Sequence, residues 1–213
     1  MTDLNSHALA EVVLDTTDDN SIATTVAPTK AMAVDGSGFV DMGLAPELLA
    51  ALRDLSFTQP TPVQVRAIPL ALQDNADKPA NDLLVSSQTG SGKTAAFLLP
   101  VLHTILIERQ AQEQEEAKEW ALKMEQAKAS GEELPKKPRR KNPTDTRHVK
   151  PAFPSALVLC PTRELAQQVA KALATYGKHV QGLRLLSVVG GVPYGAQLKA
   201  LRGPLDVLIA TPG

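Results

Sequence analysis

The sequence predicts an α/β fold, a parallel sheet flanked by helices, on three observations. Short, predominantly apolar runs of strand length recur at residues 83–85, 156–160, 185–189 and 207–210, with Ser187 the one polar residue among them. Stretches with helical spacing of apolar residues lie between them. A glycine-rich segment, Thr89-Gly90-Ser91-Gly92-Lys93-Thr94, joins the first run to the helix that follows it. Runs without polar alternation imply strands buried on both faces, which parallel crossover connections provide by laying helices on each side. Ligands of such sheets sit beyond the carboxyl ends of the strands, in the loops.

The bulk composition limits the function classes. With 213 residues, 43% hydrophobic and 21% charged, the chain can bury one good core, so one domain with ragged ends is expected. A formal net charge of -1 gives no global basic field, so any nucleic-acid contact must come from local loops. The single cysteine, Cys160, excludes an internal disulfide framework, and its small apolar neighbours predict a buried strand residue without a redox role. The start at Met1-Thr2-Asp3 lacks the basic and apolar regions of a secretory signal. No apolar run approaches the roughly 20 residues a membrane helix needs. The expectation is a soluble, cytoplasmic chain without a membrane contact.

Taken in order, residues 1–37 carry Asp15, Asp18 and Asp19 without a sustained period and are expected to be a disordered acidic tail, with the domain proper over 38–213. From Ala45 the pattern turns helical, because Leu48, Leu49, Leu52 and Leu55 share a face and Pro46 suits a first turn. A second helix is expected at about 62–72, a third from near Lys93, a fourth from 163 to about 179, and a short one at about 194–201. The stretch at about 108–151 breaks the rhythm as a charged insertion. Its first part, to about Ala129, predicts a protruding helix with Ala117, Trp120, Ala121, Met124 and Ala127 as a narrow apolar stripe and Glu119 paired with Lys123. Trp120 reads as a packing residue. The second part gathers Lys136, Lys137, Arg139, Arg140 and Lys141 among prolines, which preclude regular helix, so an exposed arm is expected. It is either a solvated loop or an auxiliary contact to a nucleic-acid backbone, which clustered cations favour by releasing counterions.

The segment from Thr89 to Thr94 carries the strongest chemistry. Glycines let backbone N–H groups close round phosphates, and the helix N-terminus adds partial positive charge. Lys93 reaches the β/γ-phosphates and Thr94 ligates Mg²⁺. In the general G-x-x-x-x-G-K-[ST] pattern the first glycine falls at Ser87. A small residue there still permits the turn, and the departure points towards helicases, whose loop commonly opens with alanine.

Other segments make the resemblance specific. Phe57-Thr58-Gln59-Pro60-Thr61-Pro62-Val63-Gln64 is similar to the Q motif of DEAD-box ATP-dependent RNA helicases, and Phe39 stands upstream where that family keeps an isolated aromatic. Ser56 replaces the glycine usual at the start of that motif. Pro161-Thr162-Arg163-Glu164-Leu165-Ala166-Gln167-Gln168 resembles motif Ia, Gly190-Gly191 the double-glycine element, and Thr211-Pro212-Gly213 the start of motif Ib. The resemblance covers about 38–213 without the insertion. It implies the first RecA-like domain, incomplete at its C-terminus, of an enzyme that uses ATP and Mg²⁺ to separate RNA duplexes. Gln64 would read adenine, since a carboxamide both donates and accepts. Phe39 would stack on the base, with Phe57 beside it. Ser87, Gln88, Thr89, Gly90, Ser91 and Gly92 would hold the phosphates, with Lys93 and Thr94 in the catalytic and metal-binding roles.

RNA would meet Pro161, Thr162, Arg163, Gly190, Gly191, Thr211, Pro212 and Gly213. The sequence contains no Asp-Glu-Ala-Asp run and no second RecA-like domain, the partner such an enzyme closes against, so the chain alone is expected to be inactive. A P-loop ATPase acting on DNA, and a fragment that binds nucleotide or RNA without turnover, are the alternative readings.

Overall fold

In a computed structural model, residues 10–13, 37–73, 82–130 and 152–212 are described. The acidic residues Asp15, Asp18 and Asp19, the basic cluster at 136–141 and Gly213 lie outside them. The described residues fall into two compact units, one drawn from 1–103 and 172–181, the other from 104–171 and 182–213.

The first unit is built on a pair of parallel strands, β1 (Ala10–Val13) and β2 (Leu83–Ser86), with Ala10 opposite Leu83 and Val13 opposite Ser86. The sequence reading placed no strand in residues 1–37. Ala-Glu-Val-Val is too short to show a period, and its backbone groups are satisfied by a partner far along the chain. Between the strands come α1 (Ser37–Val40), α2 (Pro46–Asp54) and α3 (Pro62–Leu72), and α3 packs against β1 and β2. α2 starts with proline in its first turn and buries Leu48, Ala51 and Leu52, one face at helical spacing. Its end explains Ser56. The Ser56 N–H donates to the Arg53 carbonyl and the Phe57 N–H to the Leu52 carbonyl, both at 2.9 Å, which is the Schellman arrangement and requires a left-handed residue at Ser56. Ser56 has φ 57° and is the one non-glycine with positive φ among the described residues. Ser56→Gly is therefore expected to stabilise the chain by about 0.5–1 kcal/mol, the relief of left-handed strain less the entropy glycine adds to the unfolded chain, read as a higher urea midpoint at unchanged slope.

After β2 the chain enters α4 (Lys93–Ser130), whose first turns bury Ala95, Leu98, Leu99 and Leu102. His103 closes this face. Its Nδ1 accepts the Ala45 N–H at 3.1 Å, which needs a neutral ring, and burial lowers its pKa from 6.5. For a base depressed in the folded state, the unfolded chain takes the proton first, so stability is lost as pH falls below 6.5. We expect the denaturation midpoint to drop between about pH 7.5 and about pH 5.5, and the drop to shrink in His103→Gln. An unchanged drop would show that other groups carry it. At the far end of the unit, Asp54 accepts from His179 Nε2 at 2.8 Å and Lys178 Nζ at 3.0 Å. These bonds, that from His179 first, hold its carboxyl below the ordinary value.

The second unit holds a three-stranded parallel sheet in the order β3 (Ala156–Leu159), β5 (Val207–Ala210), β4 (Leu185–Val188). Central β5 buries Val207 and Ile209 completely. α5 (Arg163–Tyr176) follows β3 and α6 (Tyr194–Ala200) follows β4. Arg109 of α4 pairs with Asp206 at 2.6 Å and donates to the Gly182 carbonyl, while Asp206 also accepts the Arg184 N–H, so the entry to β5 is fixed by one carboxylate. Cys160 is buried directly after β3, and burial pushes its thiol pKa up.

Two expectations are corrected here. β2 and β3 are not covered on both faces, although β5 has no exposed residue: along β3, half-buried and exposed residues alternate, with Leu157 58% and Leu159 67% exposed, and Leu84 of β2 stands out similarly. Nor does the helical pattern break at Glu108, because α4 is one helix of 38 residues that runs from the glycine-rich loop through the first half of the charged stretch. Composition changes there from apolar to charged, but helix propensity does not. Its outer part carries the expected Glu119–Lys123 pair and a Glu115–Lys118 pair, and Trp120, Met124 and Ala127 are its less exposed residues, which agrees with packing.

Candidate nucleotide and nucleic-acid sites

In the first unit, β2 delivers the chain at Ser87 into a loop that ends on the first turn of α4. Gly90 and Gly92 adopt φ 79° and 94°, left-handed values that only glycine takes without strain. Inside the loop, the Lys93 ammonium donates to the carbonyls of Ser87 and Gln88, the latter at 2.6 Å. The hydroxyls of Ser87 and Ser91 meet at 2.6 Å. Thr94 is half-buried in the first turn of the helix.

Gln64 joins this loop to α3. As the third residue of the helix capped by Thr61, it accepts the Thr61 N–H at 2.9 Å on Oε1, and its Nε2 donates to the Gly92 carbonyl at 3.2 Å. The side chain is only 3% exposed. A carboxamide has two N–H groups and two acceptor lone pairs, so each end retains one more for a base edge. Phe57 is partly exposed, with its ring 6.4 Å from that of Tyr176.

Phe39 is placed differently from the role implied by resemblance. Gly38 sits so close to Pro60 that a Cβ would lie 2.7 Å from Pro60 Cδ, and the helix turns the Phe39 ring into the core at 1% exposure. A ring so covered has no open face for a base, and Phe39 is a core residue.

In the second unit, three strand ends carry the other motifs. Thr162 caps α5, its Oγ1 accepting the Leu165 N–H at 3.2 Å. Thr162 and Arg163 are exposed. The Arg163 guanidinium lies against Gly191, where φ is 78° and a Cβ would come within 2.7 Å of Nη1, so motif Ia and the glycine pair share one surface. Gly190 is half-buried and Gly191 exposed; Pro161 and Pro212 are exposed, and the Thr211 N–H extends the ladder by bonding to the Val188 carbonyl. Sequence reading missed Gln197, whose Nε2 donates to the carbonyls of Val189 and Val192 and so brackets the glycine pair. Its signal was an amide one helical stretch after Gly-Gly, too common to single out alone.

Residues 61–213 match the family described as DEAD/DEAH box helicase. The chain belongs to the DEAD/DEAH box helicase family. Among curated relatives of this helicase chain, the ATP-dependent RNA helicase DeaD of Klebsiella pneumoniae is 35% identical over 182 residues, 85% of this chain and 21% of the relative. That of Escherichia coli strain K12 is 34% identical over the same length. The chain thus spans about one fifth of the relatives it matches. Among solved structures, Saccharomyces cerevisiae Dbp5 bound to RNA and ADP BeF3 aligns with TM-score 0.51 and 28% identity, over 83% of this chain and 32% of that one. A DEAD box protein from Methanococcus jannaschii aligns with TM-score 0.53 and 26% identity, over 83% and 35%. The fold is that of a RecA-like helicase domain, with its parallel strands and flanking helices.

The helicase loop fits a nucleotide phosphate. A Cβ at Gly90 would meet nothing within 4 Å, so bare backbone borders open space there, beside an ammonium and a helix start. Thr94 suits one Mg²⁺ position through its hydroxyl. Among the described residues, no group of three His, Cys, Asp or Glu side chains could hold a metal alone. None of the described helices is long and apolar enough to cross a membrane.

Proposed function

We propose that this chain is the nucleotide-binding and part of the RNA-contacting surface of an ATP-dependent RNA helicase, a cytoplasmic enzyme in its complete form. The observation that carries the reading is the bond from Gln64 to the Gly92 carbonyl, which ties the Q-motif helix directly to the phosphate loop. We place the domain at 38–213, with residues 1–37 as a tail that lends β1 to the sheet of the first unit, and 108–151 as an insertion.

ATP with Mg²⁺ supplies the phosphoanhydride bond whose hydrolysis drives the cycle. The chain's own residues bind and orient. The Lys93 ammonium, held by the Ser87 and Gln88 carbonyls, would turn to phosphate oxygens, the N–H groups that open α4 would face the same charge, and the Thr94 hydroxyl would hold Mg²⁺. Gln64 selects the base. Exposed Thr162 and Arg163, with the bare backbone of Gly190 and Gly191, offer donors to an RNA phosphate, and Thr211 and Pro212 continue that surface. The carboxylates that activate water lie in no segment of this sequence, which has no Asp-Glu-Ala-Asp run.

Titration with fluorescent ADP tests this. Binding is expected, with Lys93→Ala weakening it about ten- to a hundredfold, because a charge-assisted contact is worth about 1.5–3 kcal/mol. ATP turnover by the chain is expected at background. Turnover that disappears in Lys93→Ala would show that catalytic groups other than those named are present.

A further inference from the structure

The phosphate loop is closed by its own side chains. Ser87 directly follows β2 and Ser91 stands two residues before the lysine, so a bond between their hydroxyls joins the two limbs of the loop at 2.6 Å. The limbs enclose Lys93, whose ammonium is held by the Ser87 and Gln88 carbonyls. Gln88 O also accepts the Ser91 N–H at 3.4 Å, so the same turn that carries the hydroxyl bond turns a carbonyl towards the ammonium. This polarity opposes phosphate. A phosphate needs N–H groups and a free ammonium, whereas the closed loop directs carbonyl oxygens to the cation that would bind it. Ser87 is the position where helicase loops commonly carry alanine, which cannot make this bond.

Resting on the nucleotide-binding reading above, we propose that Ser87 and Ser91 form a hydroxyl latch that holds the loop shut on Lys93, so that nucleotide binds only after the latch opens. Ser87 is then a gating residue that slows entry. It differs from a phosphate ligand, which would slow departure.

Two measurements on the 213-residue chain decide this, with circular dichroism showing that each variant is folded. The first is amide exchange over residues 88–93 with no nucleotide added. Ser87→Ala and Ser91→Ala are each expected to speed exchange about twofold to tenfold, the equilibrium worth of one neutral hydrogen bond, and the double variant no further. Equal exchange in wild type and Ser87→Ala overturns the latch, and because no ligand is involved that result counts whatever the chain binds. The second is stopped-flow binding of fluorescent ADP. The association rate is expected to rise about twofold to tenfold in Ser87→Ala, with dissociation nearly unchanged. A faster dissociation at unchanged association would make Ser87 a phosphate ligand and overturn the proposal. Failure of the wild-type chain to bind ADP at millimolar concentration would instead overturn the nucleotide-binding reading, and the exchange comparison would still decide the latch.

Discussion

Gly92→Ala is expected to weaken ADP binding severely, whereas Gly90→Ala two residues earlier weakens it only modestly. Both glycines have left-handed φ, so alanine at either carries a backbone penalty of about 1–2 kcal/mol. Their surroundings differ. A Cβ at Gly90 enters open space, while at Gly92 it would lie 2.5 Å from Gln64 Nε2 and 2.9 Å from Thr61 Oγ1. Gln64 cannot yield freely, because it is buried with both ends bonded, one of them to the Thr61 N–H. Alanine at Gly92 therefore expels Gln64, strands the Thr61 N–H and the Gly92 carbonyl at about 1–3 kcal/mol each, and shifts the loop that presents Lys93. The expected separation in ADP affinity between the variants is about a hundredfold, measured by titration on folded protein. Similar affinities would mean that Gln64 does not shape the loop.

The second large effect separates Phe39 from Gln64, the two residues that family resemblance assigns jointly to the base. Phe39→Ala removes a fully buried ring and is expected to cost about 3–5 kcal/mol of folding stability. This is read in chemical denaturation, and whatever folded fraction remains should keep its ADP-over-GDP ratio. Gln64→Ala acts on the ratio. Its carboxamide matches adenine but would face mismatched groups on guanine, so its removal should narrow the preference about ten- to a hundredfold. A stable Phe39→Ala chain with weakened ADP binding would restore a stacking role. A Gln64→Ala chain with its preference intact would place adenine recognition elsewhere.

Much of the fold is legible in the sequence, for reasons that also explain the failures. α2 and α3 announce themselves because proline opens each and apolar residues repeat at helical spacing behind it. β2 to β5 are visible as short, predominantly apolar runs. Such a run cannot say whether one face or two is covered, since leucine is written the same way at exposed Leu157 as at a buried position. β1 was invisible because four residues carry no period and its stabilisation lies in β2. The candidate site residues are picked out by motif spacing. Their internal bonds did not: the meeting of Ser87 with Ser91, the double use of Gln64 and the bracket formed by Gln197 depend on loop closure and rotamers, which residue identity alone does not determine. Phe39 fell between these cases. Its identity matched a family position, while its burial depends on packing that residue identity does not show.

The alternation along β3 has a colloidal consequence. Leu157 and Leu159 follow the two-residue repeat and stand exposed on β3, at the margin of its described sheet, and Phe153 is exposed three residues before the strand begins. No charged side chain interrupts residues 152–160 to repel an approaching strand. Apolar surface and an unprotected margin are the two ingredients of sheet-to-sheet aggregation, and both weaken when apolar contacts are discouraged. Concentrating the chain should favour self-association through this stripe. A charge introduced at Leu157 should improve its solubility.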